Sequence, residues 1–290
     1  MPGNIIQWFP GHMAQTRRIM KENLGSVDIV FEILDARIPK SSRNPEIGAL
    51  LGNKKSIVVL NKADLSDPVQ NQKWTEHFRK EGHAVVEVSC KTGKGIAAIE
   101  QEARNQLKEK ILRNREKGME KPIRAMVVGI PNVGKSTLIN RFAGVKKLQA
   151  ENRPGVTRSK QWVKASKELE LLDMPGVLWP KFEDPKIGEN LAMTGAIKDA
   201  ILQSEEIAVL LCARLKEFYP ELLKERYKLS NSDLELDSYD LFLAIGKKRG
   251  FLQGGGHVNE ERCAAVILEE FRSGTIGKIT LEEAGEWTTP

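Results

Sequence analysis

The stretch from Val127 to Asn140, VVGIPNVGKSTLIN, constrains the fold of this chain more than any other segment. Two β-branched residues lead into Gly129, four residues separate it from Gly134, and Lys135 then opens an apolar-patterned helix. This order of strand, GxxxxGKS and helix is that of a phosphate-binding loop. Glycines let backbone N–H groups wrap around phosphates, and the helix N-terminus adds partial positive charge. The segment therefore predicts a nucleotide-binding loop in an α/β fold.

Two side chains of this loop have a chemical role that follows from their position. Lys135 can reach the β- and γ-phosphates, and the hydroxyl of Ser136 can ligate Mg²⁺. The loop as a whole is predicted to contact the nucleotide through Gly129, Pro131, Asn132, Val133, Gly134, Lys135, Ser136 and Thr137.

Length and composition limit the classes of protein to which this chain can belong. With 290 residues, 40% of them hydrophobic and 29% charged, we expect a soluble globular protein of two domains. The net charge of +6 is compatible with a polyanionic partner. No apolar run is long enough for a membrane span, and no signal peptide is visible. The three cysteines lie far apart without metal-ligand spacing, which fits a reducing cytoplasm.

A second nucleotide motif precedes the first along the chain. An apolar strand over residues 56–60 leads into Asn61, Lys62, Ala63 and Asp64, at the strand end where ligands of open α/β sheets bind. Asp64 can accept hydrogen bonds from the guanine ring N–H and exocyclic amine. Asn61 can bond the base edge, and the stem of Lys62 can cover the ring. Taken alone, these residues are equally compatible with a solvated turn rich in Asn and Asp.

The next strand, predicted over residues 84–88, ends in Ser89, Cys90 and Lys91. A strand followed by SxK is typical of the loop whose backbone N–H groups meet the guanine keto oxygen. The motif is weak alone and gains weight because it follows NKAD. Between these motifs we predict a helix over residues 68–81. A long basic helix is predicted over residues 95–117, with a solvated charged face rather than an RNA site.

Two further segments follow the phosphate-binding loop. Residues 145–164 are basic and broken by Pro154-Gly155, which predicts a mobile loop. Within it, Thr157 can supply a second hydroxyl to Mg²⁺ and a backbone N–H to the γ-phosphate. A strand over residues 168–172 then ends in DMPG, which places Asp173 near the metal and the N–H of Gly176 on the γ-phosphate. Loss of that phosphate would release both loops.

The order of these motifs is the reverse of an ordinary GTPase, with base recognition first and phosphate recognition last. A circular permutation of one doubly wound sheet explains this order, since loop tips tolerate rearrangement. We therefore predict a circularly permuted P-loop GTPase domain over residues 1–178, with a helical extension at residues 1–25. A small helical C-terminal domain is predicted over residues 179–290. It includes helical segments over residues 187–197 and 204–227 and an amphipathic helix over residues 259–272.

The chain resembles the circularly permuted GTPases, and among them the bacterial ribosome biogenesis GTPase A family. The matching segments span nearly the whole chain: IQWFPGHM, DARIP, SSRNP, NKADL, GIPNVGKSTLIN, RPGVT, DMPGVLWPKFED, TGAIKD and AIGKKRG. The resemblance implies a cytoplasmic GTPase that binds GTP and Mg²⁺, joins the large ribosomal subunit late in assembly and leaves on hydrolysis. It also implies contacts between the C-terminal domain and ribosomal RNA, with the Gly246–Gly250 turn, Arg262 and Arg272 as basic candidates. Nothing in the sequence indicates an obligate dimer or a membrane partner, so we expect a monomer.

Catalysis needs a group that the DMPG motif does not supply. Ras-like enzymes orient water with a Gln directly after DxxG, and this chain has Val177 there. The resemblance points to His12 as the replacement, acting with Lys135, Thr157 and Gly176. It also likens Asn132 to an asparagine that holds a potassium ion beside the phosphates; a simple loop-shaping role for that residue is the alternative.

Three functions compete at this point. The first is a ribosome-activated GTPase assembly factor, and the second is a nucleotide-gated binding module in which hydrolysis is incidental. The third is a P-loop kinase or ATPase. Asp64 discriminates the third from the others, because its carboxylate pairs with guanine and not with adenine.

Overall fold

The structure is a computed structural model that describes residues 10–144, 161–179, 182, 184–197 and 203–285, with side chains from residue 16 onward. In this part of the chain one sheet has the strand order β3-β2-β1-β4-β6-β5, and β5 alone runs antiparallel to its neighbour. Its strands are β1 Ile29–Asp35, β2 Ser56–Asn61, β3 Ala84–Glu87, β4 Ile123–Val128, β5 Gln161–Lys164 and β6 Leu169–Asp173.

Helices cover both faces of the sheet and continue into a helical C-terminal part. Those in the first part are α1 Pro10–Leu24, α2 Pro45–Leu51, α3 Pro68–Lys80, α4 Ile96–Gln106, α5 Lys108–Glu116 and α6 Lys135–Ala143. Those in the second part are α7 Pro185–Met193, α8 Ser204–Phe218, α9 Pro220–Tyr227, α10 Asn231–Glu235, α11 Ser238–Lys248 and α12 Glu260–Ser273. No helix in the described ranges is both long and apolar enough to span a bilayer.

Strand β1 shows why the sequence forms a sheet covered on both faces. All seven of its residues are buried, as expected for a parallel strand between two helical layers. Phe31 and Ile33 belong to the larger apolar cluster, which extends into the C-terminal helices, whereas Val30 packs in a cluster with Met20 of α1. The predicted doubly wound sheet with a helical C-terminal part is confirmed.

The topology changes direction between β1 and β4, which are neighbours in the sheet. From β1 the chain builds outward through β2 to β3, and from β4 it builds toward the opposite edge. A crevice forms at the carboxyl ends of strands where the strand order reverses in this way. The fold therefore places the ends of β1, β2, β4 and β6 around a single crevice.

Four local predictions were wrong in detail. The helix predicted over 95–117 breaks at Leu107, whose φ of −102° and ψ of 11° are non-helical. The helical segment over 204–227 is interrupted before Pro220, because proline supplies no N–H to continue the hydrogen-bond ladder. The end of the predicted loop, residues 161–164, is strand β5 paired with β6. The Lys247-Lys248 pair lies in the last turn of α11, where basic residues complement the helix dipole.

The segment after α12 returns to the carboxyl end of β1 and packs against it. The backbone N–H of Leu281 donates to the carbonyl of Arg37 at 2.8 Å, and Trp74 Nε1 donates to the carbonyl of Glu282 at 3.0 Å. These bonds tie the end of the second part to the first part. The division into domains over residues 1–178 and 179–290 stays a prediction.

The carboxylate of Glu282 is the centre of that attachment. It is 2% exposed and accepts hydrogen bonds from the backbone N–H of Lys40 at 2.7 Å, from the N–H and hydroxyl of Ser41, and from Asn190 Nδ2 at 3.0 Å. Burial raises the pKa of Glu282, and these donors oppose the rise. One carboxylate thus joins the loop after β1, α7 and the C-terminal segment.

We predict that Glu282→Ala lowers the free energy of unfolding by about 3 kcal/mol, since it leaves several buried donors without an acceptor. Urea denaturation monitored by circular dichroism measures this loss. Glu217→Ala, at an exposed position of α8, is the matched control and should change stability by less than about 0.5 kcal/mol. Equal stability of the two variants would contradict this account of the attachment.

Candidate functional site

The predicted nucleotide motifs lie together at the carboxyl edge of the sheet. Asp35 at the end of β1 is in register with Asn61 at the end of β2. Val127 of β4, just before the phosphate-binding loop, is in register with Asp173 at the end of β6. The base motif and the phosphate motifs therefore share one crevice, although they lie far apart in the sequence.

The side chain of Asn61 connects three of these loops. Its Nδ2 donates to the carbonyl of Val133 at 2.7 Å, and its Oδ1 accepts from the backbone N–H of Cys90 at 3.0 Å. The residue is 2% exposed. This amide holds the base loop against the phosphate-binding loop, and its contact with the base edge stays a prediction. A Cβ at Gly134 would lie 2.3 Å from Asn61 Nδ2, so this contact requires glycine.

Lys62 is held by a buried carboxylate. Its Nζ donates to Asp35 Oδ2 at 2.8 Å, and the guanidinium of Arg37 binds both oxygens of the same carboxylate at 3.0 and 2.8 Å. Burial alone would raise the pKa of Asp35, but Arg37 and Lys62 hold it well below its usual range. Lys62 also has a left-handed backbone, with φ of 64°. The contact with Asp35 holds the end of the Lys62 side chain, and Asp64, two residues further on, is half-buried.

The base loop at residues 89–91 is fixed by its carbonyl groups. Arg141 of α6 donates from Nε to the carbonyl of Cys90 at 2.9 Å and from its terminal nitrogen to the carbonyl of Lys91. The hydroxyl of Ser89 accepts from the N–H of Thr92 at 3.2 Å. Burial raises the pKa of the Cys90 thiol to about 12, so Cys90 acts through its backbone and not as a thiolate.

The phosphate-binding loop has the arrangement that its sequence predicts. Gly134 precedes α6 with φ of 104°, and Lys135 is buried with Nζ donating to the carbonyl of Ile130 at 2.8 Å. Burial lowers the pKa of Lys135 to about 8, against the opposing effect of Asp173. Pro131 and Thr137 are half-buried on either side of the turn.

Asp173 and Ser136 form a donor pair that fits a hard cation. The Ser136 hydroxyl lies 3.4 Å from Asp173 Oδ2, and Asp173 Oδ1 is buried without a hydrogen-bond partner among the described residues. Burial raises the pKa of Asp173 to about 6, and Lys135 opposes that rise. Mg²⁺ prefers one or two such oxygen ligands together with substrate phosphates, so the pair fits this ion. In the described ranges no group of three or more His, Cys, Asp or Glu side chains forms a metal cluster.

The DMPG segment packs directly on the phosphate-binding loop. A Cβ at Gly176 would lie 2.7 Å from the nitrogen of Pro131 and 2.9 Å from Lys135 Nζ. The next residue, Val177, is 5% exposed; its N–H lies 3.3 Å from the carbonyl of Gly129, and its carbonyl accepts from Asn44 Nδ2 at 3.2 Å. Because the valine side chain is buried, it takes no part in orienting water.

Asn132 contacts the C-terminal helical part. Its φ is 58°, and its Nδ2 donates to the carbonyl of Gly195 at 2.7 Å, just beyond the end of α7. The predicted ligand Thr157 lies outside the described residues. His12 lies in α1, and its side chain is also outside them. Their roles therefore stay predictions.

Comparison with known proteins identifies the family. A family model described as "50S ribosome-binding GTPase" matches residues 124–243. The chain is 49% identical to ribosome biogenesis GTPase A of Priestia megaterium over 98% of this chain and 99% of that protein. It is 34% identical to mitochondrial ribosome-associated GTPase 1 of Mus musculus, with 96% and 90% covered. The chain belongs to the ribosome biogenesis GTPase A family.

Solved structures share the fold of this chain. The crystal structure of GNP-bound YlqF from T. maritima aligns with a TM-score of 0.62 at 24% identity, over 93% of this chain and 99% of that one. A GDP-bound YlqF structure aligns with a TM-score of 0.63 at 25% identity, over 92% and 99%. The predicted permuted GTPase family and fold are confirmed, and the chain is a GTPase of a family that acts in ribosome biogenesis. The kinase or ATPase alternative is thereby excluded.

Three residues that hold loops of the site were missed by sequence reasoning and are evident in the structure. Arg141, Arg37 and Asn44 each hold a loop of the site through carbonyl or carboxylate contacts. The segments DARIP and SSRNP contain two of them, and both were noted without a role. Arg37 and Asn44 are 1% and 2% exposed, and the sequence shows neither this burial nor the contact of the exposed Arg141 with the distant base loop.

We predict that Arg141→Met weakens GDP and GTP binding alike by about tenfold, because the base loop loses two carbonyl contacts worth roughly 1.4 kcal/mol. Fluorescent-nucleotide titration measures both dissociation constants. Arg113→Met, at an exposed position of α5, is the control and should bind like the wild type. A loss confined to GTP would contradict this role, since the base loop meets the part that both nucleotides share.

Proposed function

We propose that this GTPase is an assembly factor for the large ribosomal subunit, binding in its GTP state and leaving on subunit-stimulated hydrolysis. The proposal that the chain binds GTP is supported by the two hydrogen bonds of Asn61, which join the base motif, the base loop and the phosphate-binding loop. The names of the relatives in P. megaterium and M. musculus support the ribosomal part.

The site contains the groups that read the γ-phosphate. Lys135 supplies positive charge at the phosphates, and the backbone N–H of Gly176 is the proposed γ-phosphate donor. Ser136, Asp173 and Thr157 are the proposed Mg²⁺ ligands, and the ion supplies charge that neutralises the phosphates when bound. Asp173 and Gly176 belong to the segment that leads into the helical part. A movement of this segment on release of the γ-phosphate is therefore transmitted to the helical part through a short stretch of chain.

Hydrolysis needs a water-orienting group from outside the DMPG segment, because Val177 is buried and apolar. We assign this role to His12 in α1. A chain of contacts links that helix to the segment: Arg17 of α1 pairs with Glu46 of α2 at 2.6 Å, and Asn44 caps α2 while its amide holds the carbonyl of Val177. A bound subunit that contacts α1 would place His12 at the site. Potassium held by Asn132 would add positive charge beside the phosphates.

The helical part carries a basic surface suited to ribosomal RNA. The guanidinium carbons of Arg249 and Arg262 lie 5.8 and 5.1 Å from the ring centroid of Phe251, and Lys247 is exposed on the adjoining turn. Cations that neutralise phosphates supply most of the affinity for nucleic acid. Arg272, another basic candidate, instead donates to carbonyl groups of α7 and has a structural role. We propose that the monomer uses this surface in the cytoplasm, where bacterial subunits are assembled.

The buried Val177 also favours a second function, a nucleotide-gated binding module with incidental hydrolysis. GTP turnover measured at physiological KCl, with and without purified large subunits, separates the two. We predict stimulation of tenfold or more by subunits, by analogy with activated GTPases, and loss of stimulation when NaCl replaces KCl. Tight GTP-dependent binding of subunits without stimulation would favour the binding module, and absence of both would refute the ribosomal partner.

His12→Ala tests the assignment of the water-orienting group. We predict that it abolishes subunit-stimulated turnover and leaves GTP affinity within about twofold of wild type, because the imidazole acts on water and not on ground-state binding. Arg18→Ala is the control on the same helix, since the Arg18 side chain is 81% exposed. A normal stimulated rate in His12→Ala would refute the assignment.

Asp64→Asn tests guanine recognition. The substitution replaces the acceptor for the guanine N–H groups by an amide, so GTP affinity should fall about 100-fold and xanthosine triphosphate affinity should rise. Competition titrations with both nucleotides measure the reciprocal change, which a folding defect does not produce. Unchanged GTP affinity would contradict the base-pairing role of Asp64.

A further inference from the structure

The end of α7 lies between the phosphate-binding loop and the last turn of α12. The first residues of the segment TGAIKD lie here; this segment resembles the family, but the sequence assigns it no role. Thr194 ends the helix and Gly195 follows with a left-handed backbone, φ 74°. On one side the carbonyl of Gly195 accepts from Asn132 Nδ2 at 2.7 Å. On the other side lies the side chain of Arg272.

Arg272 holds the end of α7 by two carbonyl groups. Its Nε donates to the carbonyl of Met193 and its terminal nitrogen to that of Ala192, both at 2.9 Å. The last carbonyl groups of a helix lack partners within the helix, and a cation there also complements the helix dipole. The planar guanidinium fixes both groups in one geometry, which a lysine does not do.

Gly195 is confined by the same guanidinium. A Cβ at this position would lie 3.3 Å from Arg272 Nε, and its positive φ is unfavourable for other residues. The guanidinium and the positive φ together hold the backbone at Gly195 in a single conformation. That arrangement directs the carbonyl of Gly195 at the phosphate-binding loop.

This carbonyl decides which end of the Asn132 amide faces the helix. A carbonyl oxygen only accepts hydrogen bonds, so the NH₂ end must face Gly195 and Oδ1 must point away from it. An amide oxygen is a ligand for a hard cation, whereas an NH₂ group repels one. If Gly195 moved, Asn132 could rotate its amide and present the wrong end.

We propose that Arg272 is a positioning residue for the phosphate-binding loop, which fixes the Asn132 amide through Gly195. The proposal rests on the proposed role of Asn132 in holding potassium, and it extends that role to the helical part. Arg272 lies at one end of α12, and Arg262 of the proposed RNA surface lies near the other end. One helix therefore links that surface to the loop.

The first test measures GTP turnover of the full-length Arg272→Met variant as a function of KCl concentration. Loss of the guanidinium donors should raise the KCl concentration for half-maximal turnover at least about fivefold, while KM for GTP changes less than about twofold. Arg272→Lys, which keeps the charge, should be intermediate. Arg214→Met is the matched control, because Arg214 also reaches α7, 3.9 Å from Glu189, without touching Gly195. A wild-type KCl dependence in Arg272→Met would overturn the proposal.

The second test does not depend on the ion. The side-chain amide protons of Asn132 should have distinct, exchange-protected NMR signals in the GDP complex, assigned by their loss in Asn132→Ser. In Arg272→Met these signals should move toward those of a solvated amide; in Arg272→Lys, which serves if the methionine variant unfolds, they should move part of the way. Unchanged signals would overturn the positioning role. If wild-type turnover is insensitive to potassium but the signals move, the ion role of Asn132 fails and the positioning role stands.

Discussion

One buried amide holds the nucleotide site together. Asn61 uses both ends of its side chain, one on the carbonyl of Val133 and one on the N–H of Cys90. Each bond joins the base motif to a loop that lies far away along the chain, 72 residues in the case of Val133. Because the amide is buried, a lost bond would leave an unpaired polar group, and the loops are held in one relative position. The base motif and the phosphate-binding loop are thereby held at one crevice.

The reversal of the sheet between β1 and β4 makes this arrangement possible in a permuted chain. Ligand contacts depend on which strand ends are neighbours in space, and the order of those strands in sequence has no effect on the crevice. The permutation does change the connection of the DMPG segment, because that segment leads directly into the helical part. The helical part then returns to the site twice, through Glu282 on the loop after β1 and through Arg272 beside the phosphate-binding loop. The helical part is therefore connected to the nucleotide site in two ways, through the chain after DMPG and through the side-chain contacts of Glu282 and Arg272.

The sequence was sufficient to predict the sheet, the motif positions and the family, because phosphate loops and strand-end motifs depend on local residue types and spacing. It was insufficient where a role depends on a distant partner. The base-edge role of Asn61 stays a prediction, but its two protein partners were missed because they lie in other loops. Strand β5 was missed because an edge strand forms by pairing with β6. Arg272 was only a basic candidate for RNA contact, and its contact with the end of α7 was missed because nothing local in the sequence shows it. The break at Leu107 was missed for a smaller reason, since the surrounding residues all favour helix.

The base motif, the base loop and the phosphate-binding loop are held together by Asn61 in what we propose is one guanine-nucleotide site. Hydrogen–deuterium exchange with mass spectrometry tests it most directly, with GDP titrated into the full-length protein. The account predicts that peptides covering residues 61–64, 89–91 and 129–137 gain protection together, with the same half-maximal GDP concentration. Protection confined to residues 129–137, with the base motif and base loop exchanging as they do without nucleotide, would contradict it.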